Sequence, residues 1–168
     1  EEDALALRKR WGVMFQHGGL FGSLTVTENV GLPLREHTGL EDVLIGEIAA
    51  WKLAMTGLTP EVGARYPSEL SGGMMKRASL ARALAQNAQV YFMDEPFVGV
   101  DATTEEAILT LMRDLQRQGR TVMVVHHDLE TVAQYFDHVA ILNIELIAHG
   151  AMRETITPEN LRNAYGAR

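Results

Sequence analysis

Short apolar runs alternate along the chain with longer segments in which apolar residues recur at helical spacing. Runs of strand length occur at residues 10–16, 90–93, 121–126 and 139–142. The last three are largely apolar throughout, which is typical of strands buried on both faces of a sheet. Because strands that alternate with helices usually form a parallel sheet, the pattern predicts an α/β fold.

Most of the predicted helices lie between the first two of these strands. Helices are expected at residues 27–36 and 41–56, and another begins at Ser71. Two stripes at helical spacing are expected to be buried faces: Leu44, Ile48, Trp51 and Met55, then Met74, Ala78, Ala81 and Ala85. We therefore expect a sheet core from residues 1–16 and 89–168, with a helical subdomain at residues 24–88 inserted into it.

The alternation continues in the second half of the chain. Thr103 and Glu106 have the spacing of a capping box, and Gly119 is expected to end the helix that they begin. A further helix is predicted by the apolar positions Leu129, Val132, Ala133 and Phe136.

The composition limits the kinds of function that the chain can have. It has 46% hydrophobic and 22% charged residues, as globular proteins do, and the absence of cysteine excludes disulfides and thiolate metal sites. The net charge of −7, without a block of Lys and Arg, argues against nucleic acid or acidic lipid as a direct partner. No uncharged apolar stretch is long enough to span a bilayer, so we expect any membrane role to depend on a partner protein.

Ser71, Gly72 and Gly73 stand at the start of a predicted helix. Glycines let a backbone approach an anion closely, and the free N–H groups and dipole of a helix start favour phosphate. The alternative interpretation is an ordinary serine N-cap with a flexible segment before it.

Asp94 and Glu95 follow the strand at residues 90–93. Ligands bind at the carboxyl ends of strands in parallel sheets. Asp94 could therefore hold Mg²⁺, and Glu95 could orient or deprotonate an attacking water. A solvated acidic turn after a strand is the alternative.

Gln16 and His127 also follow predicted strands. A neutral amide can touch both Mg²⁺ and water, and a histidine can donate a hydrogen bond to a terminal phosphate. His127 could instead be a loop residue with Asp128 as the N-cap of the next helix. A metal site formed by His126 and His127 is disfavoured because no third ligand has suitable spacing.

The order and spacing of these residues resemble the ABC ATPase family over nearly the whole chain. Gln16 matches the family's Q-loop, residues 70–73 its signature motif, and Asp94 with Glu95 its Walker B motif. Asp101 matches the D-loop and His127 the H-loop. The chain departs from the usual pattern at Met74, where the family commonly has Gln, and at residues 99–100 before the D-loop aspartate.

The resemblance implies a P-loop NTPase-type (RecA-like) parallel sheet and two ATPase domains that sandwich ATP in a head-to-tail dimer. It assigns Mg²⁺ binding to Asp94 and Gln16, and catalytic roles to Glu95, His127 and Gln16. Glu95 would be the base, His127 would contact the γ-phosphate, and Gln16 would also contact the attacking water. Ser71, Gly72 and Gly73 would bind the ATP held by the second subunit, and Asp101 would couple the two sites.

The resemblance also implies a transmembrane permease as partner, with the ATPase held peripherally on the cytoplasmic face of a bacterial membrane. The loop at residues 17–29, with Leu20, Phe21 and Leu24, resembles the groove that receives a permease's coupling helix. Plain core residues are the alternative for these three side chains.

No G-x-x-x-x-G-K-[S/T] phosphate loop occurs in the sequence. In the family this loop precedes the Gln16 strand, so we expect the domain to be incomplete at its N-terminus and the chain by itself to hydrolyse ATP barely or not at all. In the family's sheet the phosphate-loop strand lies between the His127 strand and the strand expected at residues 139–142. A gap or a rearranged edge is therefore expected there.

Two subfamilies compete as the nearest resemblance. Residues 33–38 and 94–99 resemble the phospholipid-trafficking ATPases of the bacterial outer-membrane asymmetry system. Residues 126–132, 135–137 and 160–166 resemble zinc and manganese importer ATPases, and a mosaic chain would explain both. We favour lipid trafficking because the permease-facing region lies in the first half. A catalytically silent dimerisation module is a further alternative, whereas a DNA-repair ATPase is disfavoured because no sustained heptad run is present.

Overall fold

The computed structural model describes residues 9–166, which form five strands and seven α-helices. The elements are β1 (Trp11–Met14), α1 (Val26–His37), α2 (Asp42–Met55), α3 (Gly72–Ala85), β2 (Val90–Asp94), α4 (Ala102–Arg117), β3 (Thr121–Val125), α5 (Leu129–Tyr135), β4 (His138–Asn143), β5 (Glu145–Ala151), α6 (Met152–Thr155) and α7 (Pro158–Tyr165). Two 3₁₀ turns, Pro60–Ala64 and Pro67–Glu69, connect α2 to α3. The chain divides into two compact units, Glu1–Val125 and His126–Arg168.

The first unit contains a parallel sheet in the order β1-β2-β3. Met14 is paired with Met93, and Met93 is paired with Val124, so the three strands end close to the same line. This register brings the segments that follow the strands to one edge of the sheet, where ligands bind in parallel sheets.

Helix α3 separates two apolar clusters of the first unit. Leu80, Ala83 and Leu84 pack with the sheet residues Tyr91 and Met93. The alanine face predicted for this helix is buried in the second cluster, together with residues of α1 and α2: Ala78, Ala81 and Ala85. Because α3 packs on both sides, its charged residues Lys76 and Arg82 are largely withdrawn from water.

The predicted buried stripe of α2 is wrong. Leu44, Trp51 and Met55 are exposed, and the helix buries Ile45, Ala49 and Leu53 instead. The two stripes are one or two residues apart, and both have helical spacing. Packing against α1 selects the second stripe, since Gly31 of α1 leaves room for the Ile45 side chain: a Cβ built on Gly31 would lie 2.7 Å from Ile45 Cγ2.

The capping box predicted from Thr103 and Glu106 is also wrong. Asp101 is the N-cap of α4, and its carboxylate accepts hydrogen bonds from the backbone N–H of Thr104 at 2.8 Å and from the Thr104 hydroxyl at 3.1 Å. An aspartate at the N-cap position satisfies the first helical N–H groups directly. The helix therefore begins closer to β2 than the capping-box spacing suggests.

The second unit contains an antiparallel hairpin of β4 and β5, with α6 and α7 after it. The expectation of a buried strand at residues 139–142 is wrong, because Ile141 is buried but Ala140 and Leu142 are exposed. β4 pairs with β5 in a two-stranded sheet, and an antiparallel pair can leave one face in water. None of the helices within residues 9–166 combines the length and the apolar character that crossing a membrane requires.

Candidate functional site

A direct hydrogen bond joins two of the predicted site residues at the carboxyl edge of the sheet. Gln16 follows β1 and Glu95 follows β2, and Gln16 Nε2 donates to Glu95 Oε2 at 2.6 Å. The two residues are 79 positions apart in the sequence, so only the parallel pairing of β1 with β2 brings them together. Both side chains are half-buried, which leaves part of the pair open to a ligand.

The backbone of Glu95 adopts a left-handed conformation with φ of 44°. This region is unfavourable for residues with a side chain and persists only where the surroundings enforce it. Contacts on both sides of the residue do so. The Glu95 N–H donates to the Val125 carbonyl at 3.1 Å, and the Glu95 carbonyl accepts from Lys76 Nζ at 2.7 Å and from the Val98 N–H at 3.4 Å. The contacts fix the direction in which the Glu95 carboxylate leaves the backbone.

Asp94 is the last residue of β2 and pairs in register with Val125 of β3. Its carboxylate and the amide oxygen of Gln16 are hard oxygen donors of the type that Mg²⁺ prefers. Within residues 9–166 no group of three or more His, Cys, Asp or Glu side chains could hold a metal ion. The oxygen donors of Asp94 and Gln16 fit an ion such as Mg²⁺, which commonly takes one or two protein ligands and completes its shell with water and substrate phosphates.

Ser71 is the N-cap of α3, and its hydroxyl oxygen accepts from the Met74 N–H at 3.3 Å. Gly72 and Gly73 form the first turn, whose N–H groups have no partner within a helix. A Cβ built on either glycine would meet no atom within 4 Å. Packing within the chain thus does not require glycine here, whereas the close approach of an outside group would.

Asp101 and His127 lie at the starts of two other helices. Hydrogen bonds from the backbone and hydroxyl of Thr104 hold the pKa of Asp101 below its usual value, so Asp101 is an anion that caps α4. His127 is exposed in the second unit and precedes Asp128, which is the N-cap of α5 as the alternative interpretation has it. The neighbouring His126 has a structural contact, since its Nε2 lies 2.8 Å from the Thr131 hydroxyl oxygen.

Three buried polar side chains of the first unit were missed by the sequence prediction. Lys76 contacts Glu95, as described above. Arg82 of α3 donates to the carbonyls of Gly19 at 2.6 Å and Gly18 at 3.2 Å, and so holds the loop that follows Gln16. The signal that could have revealed Lys76 and Arg82 is a cation within the apolar pattern of a helix that is buried all round.

Asn29 is the third of these residues, and no part of its surface is exposed. Its amide nitrogen donates to the carbonyls of Phe21, Leu24 and Thr25, each at 3.0 Å, and its amide oxygen accepts from the Phe21 N–H at 2.7 Å. These four bonds fix the loop between β1 and α1. They leave Phe21 exposed beside a groove of about 300 Å³ that is also lined by Pro33 of α1.

Known proteins match the chain in both sequence and fold. Residues 1–98 match the family model described as ABC transporter. The zinc transport system ATP-binding protein TroB of Treponema pallidum (strain Nichols) is 58% identical over 104 residues, which cover 62% of this chain and 39% of TroB. The intermembrane phospholipid transport system ATP-binding protein MlaF of Haemophilus influenzae is 40% identical over 158 residues, which cover 93% of this chain and 60% of MlaF.

Among solved structures, the dimeric post-hydrolysis state of the ATP-binding cassette MJ0796 bound to ADP and Pi matches with a TM-score of 0.82 and 30% identity. The match covers 91% of this chain and 68% of that chain. The chain therefore belongs to the ABC transporter family, and the predicted P-loop NTPase-type α/β fold is confirmed. The resemblance to both metal-transport and phospholipid-transport ATPases is likewise confirmed, and the chain spans 39% to 60% of the length of these two relatives.

Proposed function

We propose that this chain is the ATP-hydrolysing motor of a bacterial ABC transporter that moves lipid. The observation that carries the proposal is the pair formed by Gln16 and Glu95, which meet at 2.6 Å where two parallel strands end, beside Asp94. An amide, a carboxylate base and a magnesium-binding carboxylate are among the groups that proteins use for phosphoryl transfer to water.

In this proposal Glu95 orients the attacking water and accepts its proton, and Gln16 holds both the Glu95 carboxylate and the water. Asp94 and the amide oxygen of Gln16 would hold Mg²⁺, which would supply positive charge to offset that of the phosphate groups. His127 donates a hydrogen bond to the terminal phosphate, a role assigned by its place in the family's order of motifs. Positioning and electrostatic stabilisation supply most of the rate enhancement in such reactions.

A second subunit completes each site in this proposal. The N–H groups at the start of α3, at Gly72 and Gly73, bind the terminal phosphate of ATP held by the partner, and the Ser71 hydroxyl contributes beside them. The open space around both glycines supports this role for their N–H groups. Asp101, exposed at the start of α4, couples the two sites across the dimer.

The proposed route to the membrane is a permease that docks beside the loop between β1 and α1. Phe21 is exposed at the rim of the groove described above, and Asn29 fixes the backbone that presents it. An apolar side chain on a rigid loop suits a helix of a partner protein that inserts into a groove. The chain is thus expected on the cytoplasmic face of the membrane, attached through the permease.

Lipid is the proposed cargo because the match to the phospholipid-transport relative extends over 93% of this chain, against 62% for the zinc-transport relative. Metal import is the second candidate, supported by the higher identity of the zinc-transport match, 58% against 40%. Transfer of a fluorescent phospholipid and uptake of zinc or manganese, measured side by side with the native complex in vesicles, distinguish the two. ATP-dependent metal uptake without lipid transfer would overturn the lipid assignment.

The catalytic assignment is tested with Glu95→Gln in the native complex, with Glu106→Gln on the exposed face of α4 as the matched control. We expect Glu95→Gln to lower ATP turnover about 100-fold or more while Mg²⁺-ATP still binds, since the amide cannot accept the proton. Glu106→Gln should leave turnover unchanged. Turnover that survives Glu95→Gln would show that the chain is a silent module beside a complete ATPase.

A further inference from the structure

Lys76 is a charged residue in a buried place. It lies on α3, between the first-turn glycines and the alanine face, and only 8% of its surface is exposed. Burial lowers the pKa of Lys76, and the nearby carboxylates of Glu95 and Asp94 oppose that shift. Burying an ammonium group is unfavourable unless it is hydrogen-bonded, so Lys76 needs an acceptor for its hydrogen bond.

Lys76 donates its hydrogen bond to a backbone oxygen rather than to either carboxylate. Its Nζ donates to the backbone carbonyl of Glu95 at 2.7 Å, which is the short distance of a charge-assisted hydrogen bond. That carbonyl belongs to the residue whose φ is 44°, in the left-handed region. Lys76 therefore acts on the backbone of Glu95 at the point where the chain is strained.

Glu95 is held on three sides. The Val125 carbonyl accepts from its N–H, Lys76 donates to its carbonyl, and Gln16 donates to its carboxylate. The Glu95 carbonyl also accepts from the Val98 N–H at 3.4 Å, a longer contact than the 2.7 Å bond from Lys76 Nζ. Lys76 therefore supplies the shorter, charge-assisted bond to this carbonyl and resists rotation of the peptide that follows Glu95.

We propose that Lys76 is a positioning residue that holds the strained backbone of Glu95, so that the carboxylate stays aimed at the attacking water. The proposal rests on the proposed function, because it matters for catalysis only if Glu95 is the base. Helix α3 would then have two roles. Its first turn would bind the partner's ATP, and Lys76 would position the catalytic carboxylate of its own subunit.

The kinetic test compares Lys76→Met and Lys76→Arg in the native complex. Methionine is unbranched and only one atom shorter but cannot donate, so we expect kcat to fall by about tenfold to 100-fold with KM for ATP nearly unchanged. Arginine keeps a charged donor, so Lys76→Arg should retain most of the native kcat. Lys52→Met is the control, because Lys52 is a partly buried lysine that contacts the Trp51 ring of α2 instead. Equal turnover in Lys76→Met and the native protein would overturn the proposal.

A stability test reports on the same contact without any turnover. The shift in unfolding midpoint caused by Lys76→Met is measured in the native protein, in Glu95→Gln and in Glu95→Gly. Glutamine keeps the strained φ and removes the charge, whereas glycine relieves the strain. The proposal expects the shift to persist in Glu95→Gln and to shrink in Glu95→Gly.

The outcomes of the stability test separate two kinds of failure. A shift that disappears in Glu95→Gln would mean that Lys76 acts on the carboxylate charge, and an equal shift in all three backgrounds would mean that it supports only the fold. Either result overturns the proposal. If the native complex lacks ATP turnover but the shift shrinks only in Glu95→Gly, the contact is established and the proposed function is what fails.

Discussion

Ile144 lies in the turn between β4 and β5 with φ of 61°, and its side chain is fully exposed. A β-branched side chain in the left-handed region is strained, and nothing is gained from burial to offset that strain. We expect Ile144→Asn to stabilise the second unit by about 1 kcal/mol, since asparagine tolerates this backbone conformation. Thermal unfolding of the two variants Ile144→Asn and Ile144→Val measures the effect. Because valine keeps the branch, a gain shared by both variants would contradict the explanation.

At the residue scale, order and spacing in the sequence located Gln16 and Glu95, and the structure joins them by a hydrogen bond. The roles proposed for them and for the other site residues stay predictions until the variants are measured. Lys76 and Asn29 were missed because a helix periodicity shows that a position is buried but not which backbone carbonyl lies beside it. Contacts of this kind depend on loops whose path only the packed structure defines.

The elements were predicted more closely than the faces that they bury. Helix α2 was placed within one residue at each end, yet the wrong stripe was assigned to the core. Leu44 and Ile45 are neighbours on this helix, with 43% and 3% of their surfaces exposed. A helix that is apolar nearly all round gives no periodic signal for its orientation, so the facing residue Gly31 decides it.

Leu44 and Ile45 provide a matched test of the orientation of α2. We expect Ile45→Ala to lower the free energy of unfolding by about 2–5 kcal/mol, because the deletion leaves a cavity against α1. Leu44→Ala should cost about 1 kcal/mol or less, because its side chain is already largely in water. Chemical denaturation of both variants measures the difference. A larger loss of unfolding free energy for Leu44→Ala than for Ile45→Ala would show that the stripe containing Leu44 is the buried one.

At the scale of the whole molecule, the alternation of strands and helices predicted the α/β class and the parallel sheet of β1, β2 and β3. It did not predict β5, because the turn Asn143–Ile144 has none of the glycine that usually marks a hairpin. Because β5 was not predicted, the apolar sequence of β4 was interpreted as a strand of the parallel sheet. A single run of apolar residues does not reveal which strand it pairs with.

The pairing of the strands makes a prediction for amide hydrogen exchange. β2 has a neighbour on both sides, so we expect uniformly slow exchange across Val90–Asp94. Among the strands that the structure describes, β3 is an edge strand of its sheet and β4 pairs with β5 alone, so alternate N–H groups in each should exchange fast. Exchange measured on the chain by itself and on the native complex separates the strand pairing within this chain from pairing that a partner supplies. Uniformly slow exchange through either β3 or β4 in the isolated chain would contradict this strand pairing.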